Sequence, residues 1–151
     1  MKFIEITFES EAYVRAWQLR QAVLREPLGL SLQASERIAE AKHRHFALFT
    51  DDLELAACIS AVPLPNGRAK LRQMSVDPKM QGVGVGRALL TNVEMLMANQ
   101  GIYHLHLHAR DSAIGFYQKL GYTTEGDPFV EVTIPHVRMS KTLVTQSQSP
   151  A

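Results

Sequence analysis

The stretch MQGVGVGRALL, Met80 to Leu90, places Gly82, Gly84 and Gly86 within five residues. Glycine costs about 0.5–1 kcal/mol relative to alanine inside a helix or strand, so such a run needs a backbone reason. A strand, a glycine-rich turn and a helix N-terminus, in that order, can hold an anionic phosphate. The first N–H groups of a helix lack intrahelical partners, the macrodipole adds partial positive charge, and a missing Cβ lets the backbone approach the ligand. Gln81 and Arg87 add side-chain donors at either end. A turn that merely joins strand to helix is the plain alternative, and the glycines alone do not choose between the two. Two phosphate motifs fit badly. A Walker loop needs Lys-Ser/Thr after its glycines, and none follows here. A Rossmann fingerprint needs G-x-G-x-x-G on an early βαβ unit, whereas these glycines are spaced G-x-G-x-G after three hairpin-type strands.

A second candidate is HLHLH. His104, His106 and His108 alternate, so all three project from one face of a strand. Two or three imidazoles so spaced could ligate Zn²⁺ or Ni²⁺. The favoured reading is a half-polar sheet face, with no metal. Cys58 is the only cysteine, which rules out an internal disulfide and fits a reducing compartment. The formal net charge of +1 gives no bulk attraction to nucleic acid. No signal-like apolar segment opens the chain, and no apolar run approaches the ~20 residues that span a bilayer. A cytoplasmic protein without membrane or nucleic-acid partners is expected.

The elements that must position these residues follow from periodicity. Phe3, Ile4, Ile6 and Phe8 predict a strand. Ser10 is placed to cap a helix whose stripe is Tyr13, Ala16, Trp17, Val23 and Leu24, with Arg20 in its middle, either snorkelling out or facing a cleft. Ser35 is placed to cap a short helix through Ala41. Strands are expected at 43–50, 53–62 and 68–76, with turns at Asp51-Asp52 and Asn66-Gly67. A helix from Gly86 to Asn99 ends at Gly101; a strand at IYHLHLHA follows. A short helix is capped by Asp111 or Ser112 and ends at Gly121. Strand-like runs at 121–125 and 130–140 close the domain, and a polar tail occupies 144–151. One domain over 1–143 is expected, a mixed α/β fold in the order β-α-α-β-β-β-α-β-α-β-β.

Following LRQMSVDPKM, the run Gln81 to Gly86 reads Q-x-x-G-x-G, and AIGFYQKLGY occupies 113–122. With these two motifs, in order and suitably separated, the chain resembles the GNAT N-acetyltransferase superfamily. The resemblance covers residues 1–143 in topology and is motif-specific over about 70–122. It implies a mostly antiparallel twisted sheet of seven strands with four helices, and a splayed parallel strand pair at the cofactor cleft. It implies acetyl-CoA as cosubstrate, with pantetheine pairing on the backbone of Met74 and Val76. The pyrophosphate would lie on the amides of Val83, Gly84, Val85, Gly86 and Arg87, with Gln81 in the family's Arg/Gln position. Gly82 belongs to the same turn but fills no motif position. Phe116 and Tyr117 would border the cofactor, with Tyr117 protonating the departing thiolate, and Lys119 would reach the phosphates. Arg110 stands where many members carry Asn, so that coenzyme contact does not transfer.

The implied reaction is direct attack of a primary amine on the acetyl thioester, and the amine must lose a proton. No Asp or Glu lies between Arg68 and Val76, so the base is sought at His108, His136, Glu131 or Asp111, with His136 placed between the last two strands. Arg20, Arg25 and Arg72 could favour an acidic acceptor. A weaker resemblance links LRQAVLREPLGL and IPHVRM to the ElaA-like branch of small bacterial acetyltransferases, but Arg25-Glu26-Pro27 replaces the branch's Glu-Gln pair. Family habit makes a homodimer an expectation. The alternative to an enzyme is a non-catalytic acyl-CoA-binding or regulatory module.

Overall fold

A computed structural model describes residues 1–144; residues 145–151 of the expected tail lie outside the described residues. The elements are β1 (Lys2–Ile6), α1 (Glu11–Arg20), α2 (Ala34–Ala39), β2 (Arg44–Phe49), β3 (Leu55–Leu64), β4 (Arg68–Val76), α3 (Val85–Asn99), β5 (His104–Arg110), α4 (Ile114–Lys119), β6 (Thr123–Glu131) and β7 (Ile134–Thr142). They follow the expected order. The strands form a seven-stranded sheet ordered β1-β2-β3-β4-β5-β7-β6. Its parallel pair is β4–β5, with Arg68–Leu71 opposite His104–Leu107. No helix among the described residues is long and apolar enough to cross a membrane.

The chain packs as two compact units. One comprises Met1–Pro63 with Arg72–Val93, the other Leu64–Leu71 with the described residues from Glu94 to Val144. In the first unit β1, β2 and β3 run antiparallel, with Ile4 opposite Ala47 and Ala47 opposite Cys58. Ile6, Tyr13, Ala16, Phe49, Leu55 and Cys58 are buried together, with Phe8, Trp17 and Leu19 packed against them. Ser10 caps α1 as expected, its hydroxyl accepting from Tyr13 N–H at 3.2 Å. The helix continues as a π-turn over Gln21–Arg25. The cap of α2 corrects the expectation. Gln33, not Ser35, is the N-cap, and Glu36 accepts from the Gln33 N–H at 2.6 Å. A carboxylate three residues into the helix therefore satisfies the entering backbone that Ser35 was expected to satisfy.

In the second unit β5 pairs antiparallel with β7, and β7 with β6. The β6–β7 turn is Val132–Thr133, both at positive φ (51° and 66°), the backbone of a type I′ hairpin in residues that rarely adopt it. A register shift between Glu125 and Phe129 bulges β6, where Gly126 supplies φ +71°. These two features correct the strand boundaries: the expected run 130–140 is the end of one strand, a turn and the start of another. The helix ends follow the expected glycines. At the end of α3 the Gly101 N–H donates to Ala98 C=O and the Ile102 N–H to Met97 C=O, at 3.1 and 2.9 Å. At the end of α4 the Gly121 N–H donates to Gln118 and the Tyr122 N–H to Tyr117, both at 3.1 Å. Each is a paired bond closing the last carbonyls of a helix, with glycine in the left-handed position. The start of α4 differs from expectation. The chain enters through a 3-10 turn at Asp111–Ala113, and no side chain caps it.

Candidate active site

In the first unit β4 leads to a 3-10 turn, Pro78–Met80, capped by the Asp77 carboxylate, which accepts from Lys79 N–H at 2.9 Å. The glycine turn follows. Gly82 and Gly84 have φ of +80° and +86°, and a Cβ at either would meet open space. Their requirement is thus conformational rather than steric. Gly84 C=O accepts from Ala88 N–H at 3.0 Å, so the amides of Val85, Gly86 and Arg87 stand in the first turn of α3 without intrahelical acceptors. Gln81, Gly82, Val83, Gly84 and Arg87 are exposed, whereas Val85 and Gly86 are buried. Val83 is 70% exposed, a large apolar side chain at the rim of a polar turn. Gln81 Nε2 donates to the Val76 carbonyl at 3.3 Å, which ties the end of β4 to the turn. Met74 and Val76 are half-buried on the same strand. Amides without intrahelical acceptors, φ-positive glycines and an exposed arginine make this turn chemically suited to a pyrophosphate.

Arg20 neither snorkels nor faces a cleft, which corrects its reading as an acceptor contact. It is 1% exposed, and its Nη1 and Nη2 donate to the two Glu40 carboxylate oxygens at 2.8 Å each. Tyr13 O–H also donates to Glu40, at 2.7 Å. Arg20 Nη1 donates further to Gln73 Oε1 on β4, at 2.7 Å. Burial works against charge on Glu40, but Arg20 and Tyr13 hold its carboxyl below the ordinary range. Burial and the nearby Glu40 charge push the Tyr13 phenol well up. Sequence reasoning missed this group because its members come from three elements far apart in the chain: Tyr13 and Arg20 from α1, Glu40 from a 3-10 turn at Glu40–Lys42, and Gln73 from β4. Arg25 is also buried, 3.4 Å from Glu36, and Arg72 Nη1 lies 3.4 Å from His43 Nδ1.

In the second unit Tyr117 is buried, and its ring meets Phe116 and Tyr122 edge-on at 5.0 and 5.7 Å. Burial alone pushes its phenol up to about 12. Phe116 and Lys119 are exposed. Tyr122 O–H donates to Glu94 at 2.8 Å, and Lys141 Nζ donates to Glu94 and to Leu120 C=O at 2.8 and 2.7 Å. The FYQKLGY motif therefore also builds a helix end, with Tyr122 packed back on Tyr117.

Three of the four candidate bases, His108, Glu131 and His136, form one cluster within this unit. His108 Nδ1 donates to Glu131 Oε1 at 3.0 Å, and His136 Nε2 lies 3.8 Å from Glu131 Oε2. His136 Nδ1 donates to the Ile134 carbonyl at 2.9 Å, which fixes the tautomer and leaves Nε2 facing the carboxylate. The Phe129 ring contacts both imidazoles, at 4.9 and 6.1 Å. Burial disfavours charge on Glu131, yet His108 and then His136 hold it below the ordinary carboxylate range. His136 corrects its loop placement: it is buried inside β7, opposite Arg110 and Phe129. Asp111 is exposed at the start of the 3-10 turn. The histidine row shares one face of β5 but has separate neighbours: His104 Nδ1 lies 3.2 Å from Thr142 Oγ1, and His108 turns to Glu131. Burial, with Arg138 and Lys70 nearby, pulls His106 down to about 4.

Residues 25–143 match the model of the acetyltransferase (GNAT) domain. The chain belongs to that family. A Bacillus subtilis (strain 168) protein named "putative acetyltransferase" is 27% identical over 144 residues, covering 93% of this chain and 96% of its own. The crystal structure of a "putative N-acetyltransferase" from Lactobacillus plantarum superposes with a TM-score of 0.83 at 27% identity, over 95% of this chain and 98% of that one. An aminoglycoside 6'-N-acetyltransferase complexed with coenzyme A shares the fold at a TM-score of 0.78 and 18% identity, over 100% of both chains.

Proposed function

We propose that the protein is an acetyl-CoA-dependent N-acetyltransferase that acetylates a primary amine by direct transfer. The observation that carries this is the turn at Gly82–Gly84, after which the amides of Val85, Gly86 and Arg87 stand in the first turn of a long helix without intrahelical acceptors. The match to the acetyltransferase domain and the fold shared with an enzyme complexed with coenzyme A support the same reading. Acetyl-CoA would supply an activated acyl group, whose carbonyl carbon gains a C–N bond as its C–S bond breaks.

The chain's own residues would do the rest. The amides from Val83 to Arg87, with the Arg87 guanidinium and Gln81, hold the pyrophosphate. Gly82 gives the turn its first left-handed residue. The backbone at Met74 and Val76 pairs with the pantetheine arm as an added strand would. Lys119 lies exposed for a phosphate, and Phe116 shields Tyr117. Tyr117 donates its phenolic proton to the departing sulfur. The His108–Glu131–His136 cluster takes the proton that the attacking amine must lose. Its carboxylate is held below the ordinary range by the two imidazoles beside it.

The direct test is Tyr117→Phe, assayed by thiol release with an amine panel and by coenzyme binding. The expected outcome is a kcat lower by about a hundredfold with coenzyme affinity unchanged. Unchanged turnover would remove Tyr117 from the mechanism. Coenzyme binding without turnover of any amine by the wild type would favour a binding module instead.

A further inference from the structure

We infer that the buried Arg20–Glu40 pair is a positioning device for β4, holding Gln73 in a left-handed backbone conformation that sets how the strand presents its next residues to the coenzyme. The inference rests on the coenzyme reading of β4 given above. Gln73 has φ +56° in the middle of a strand. A non-glycine residue there is at about a tenfold disadvantage relative to its ordinary conformations. Such a residue also bends a strand and interrupts its ladder. The parallel ladder of β4 with β5 runs from Arg68 to Leu71 and stops two residues before Gln73. The residues that follow, Met74 to Val76, are those whose backbone the coenzyme reading uses.

The side chain of Gln73 supplies the restraint. Its Oε1 accepts from Arg20 Nη1 at 2.7 Å. That guanidinium cannot shift, because Glu40 takes both its terminal nitrogens at 2.8 Å and Tyr13 fixes Glu40 from the other side. The rings of Trp17 and Tyr13 lie 5.2 and 5.9 Å from the guanidinium carbon. Arg20 is 1% exposed and Glu40 0%. A buried pair of this kind is expensive to desolvate, and well-packed apolar residues often replace one without loss of stability. Stability therefore does not explain it. Its side-chain bond to Gln73 gives it a use: an anchored donor with one position, aimed at a strand residue that would otherwise relax to extended backbone.

Gln73→Ala and Gln73→Gly test this together with coenzyme A titrations by calorimetry. Both variants delete the same acceptor, and they differ in that only glycine takes positive φ freely. The expected result is a Kd about tenfold weaker for the alanine variant and within about threefold of wild type for the glycine variant. Equal affinities in the two would overturn the inference. A second arm replaces the network by apolar residues, Tyr13→Phe with Arg20→Met and Glu40→Leu. That variant is expected to melt cooperatively, to bind coenzyme A about tenfold more weakly, and to regain affinity when Gln73→Gly is added. Wild-type affinity in it, or no recovery with glycine, would also overturn the inference. A wild type that binds no coenzyme A would overturn the coenzyme reading itself, and the inference with it.

Discussion

Glu131 is where two imidazoles of the second unit converge. It lies at 3.0 Å from one histidine and 3.8 Å from another, beside a hairpin tip of two β-branched residues at positive φ. Glu131→Gln keeps the shape and removes the carboxylate that both imidazoles face. If the cluster is the base, kcat at neutral pH falls by about a hundredfold with coenzyme affinity unchanged; steady-state kinetics and a coenzyme titration check both parts. All three members were visible in the sequence as separate candidates. Their meeting was not, because His108 and Glu131 are 23 residues apart and join through a strand, β7, that comes last in the chain. The Arg20–Glu40 pair was hidden for the same reason. An arginine in an apolar helix stripe shows a conflict of patterns, but periodicity cannot name the acid that resolves it.

At the scale of elements, the helix ends were the most legible. Gly101 and Gly121 each follow the last turn of an apolar-patterned run, and each takes the left-handed position that pairs the final carbonyls. Gly121 has φ +94°, and a Cβ there would come within 3.3 Å of Lys141 Cε. Gly121→Ala should therefore cost about 1–2 kcal/mol, read as a melting temperature lower by about 2–4 °C per kcal/mol. The helix starts were less legible, since Gln33 is an uncommon cap and α4 begins without one. The β6–β7 hairpin was misread because Val132–Thr133 carries no Gly, Asn or Asp signal.

The polar face of β5 yields a pH prediction. His106 is held near 4 in the folded chain against an ordinary value of 6.5. Its folded value is depressed, so the unfolded chain takes up the proton first, and stability falls as pH drops from about 6.5 towards 4. His106→Gln should flatten the decline in melting temperature across that window. An unchanged decline would show that other groups, such as the buried His45, govern it.

For the whole molecule, the order of elements and the two motifs were enough to assign the family, because topology depends on coarse patterning rather than on individual contacts. Coenzyme A at a hundred times its dissociation constant should stabilise the protein by about 2.7 kcal/mol, whereas ATP and NAD should not; a thermal-shift comparison reads this, and the reverse ranking would exclude the coenzyme reading. The central claim, acetyl transfer to an amine, is tested most directly by following thiol release from acetyl-CoA while identifying the product by mass spectrometry. The account predicts thiol release that requires an amine and matches the acetylated amine mole for mole. Coenzyme A thiol released at the same rate with and without amine, or no acetylated product from any primary amine tested, would contradict it.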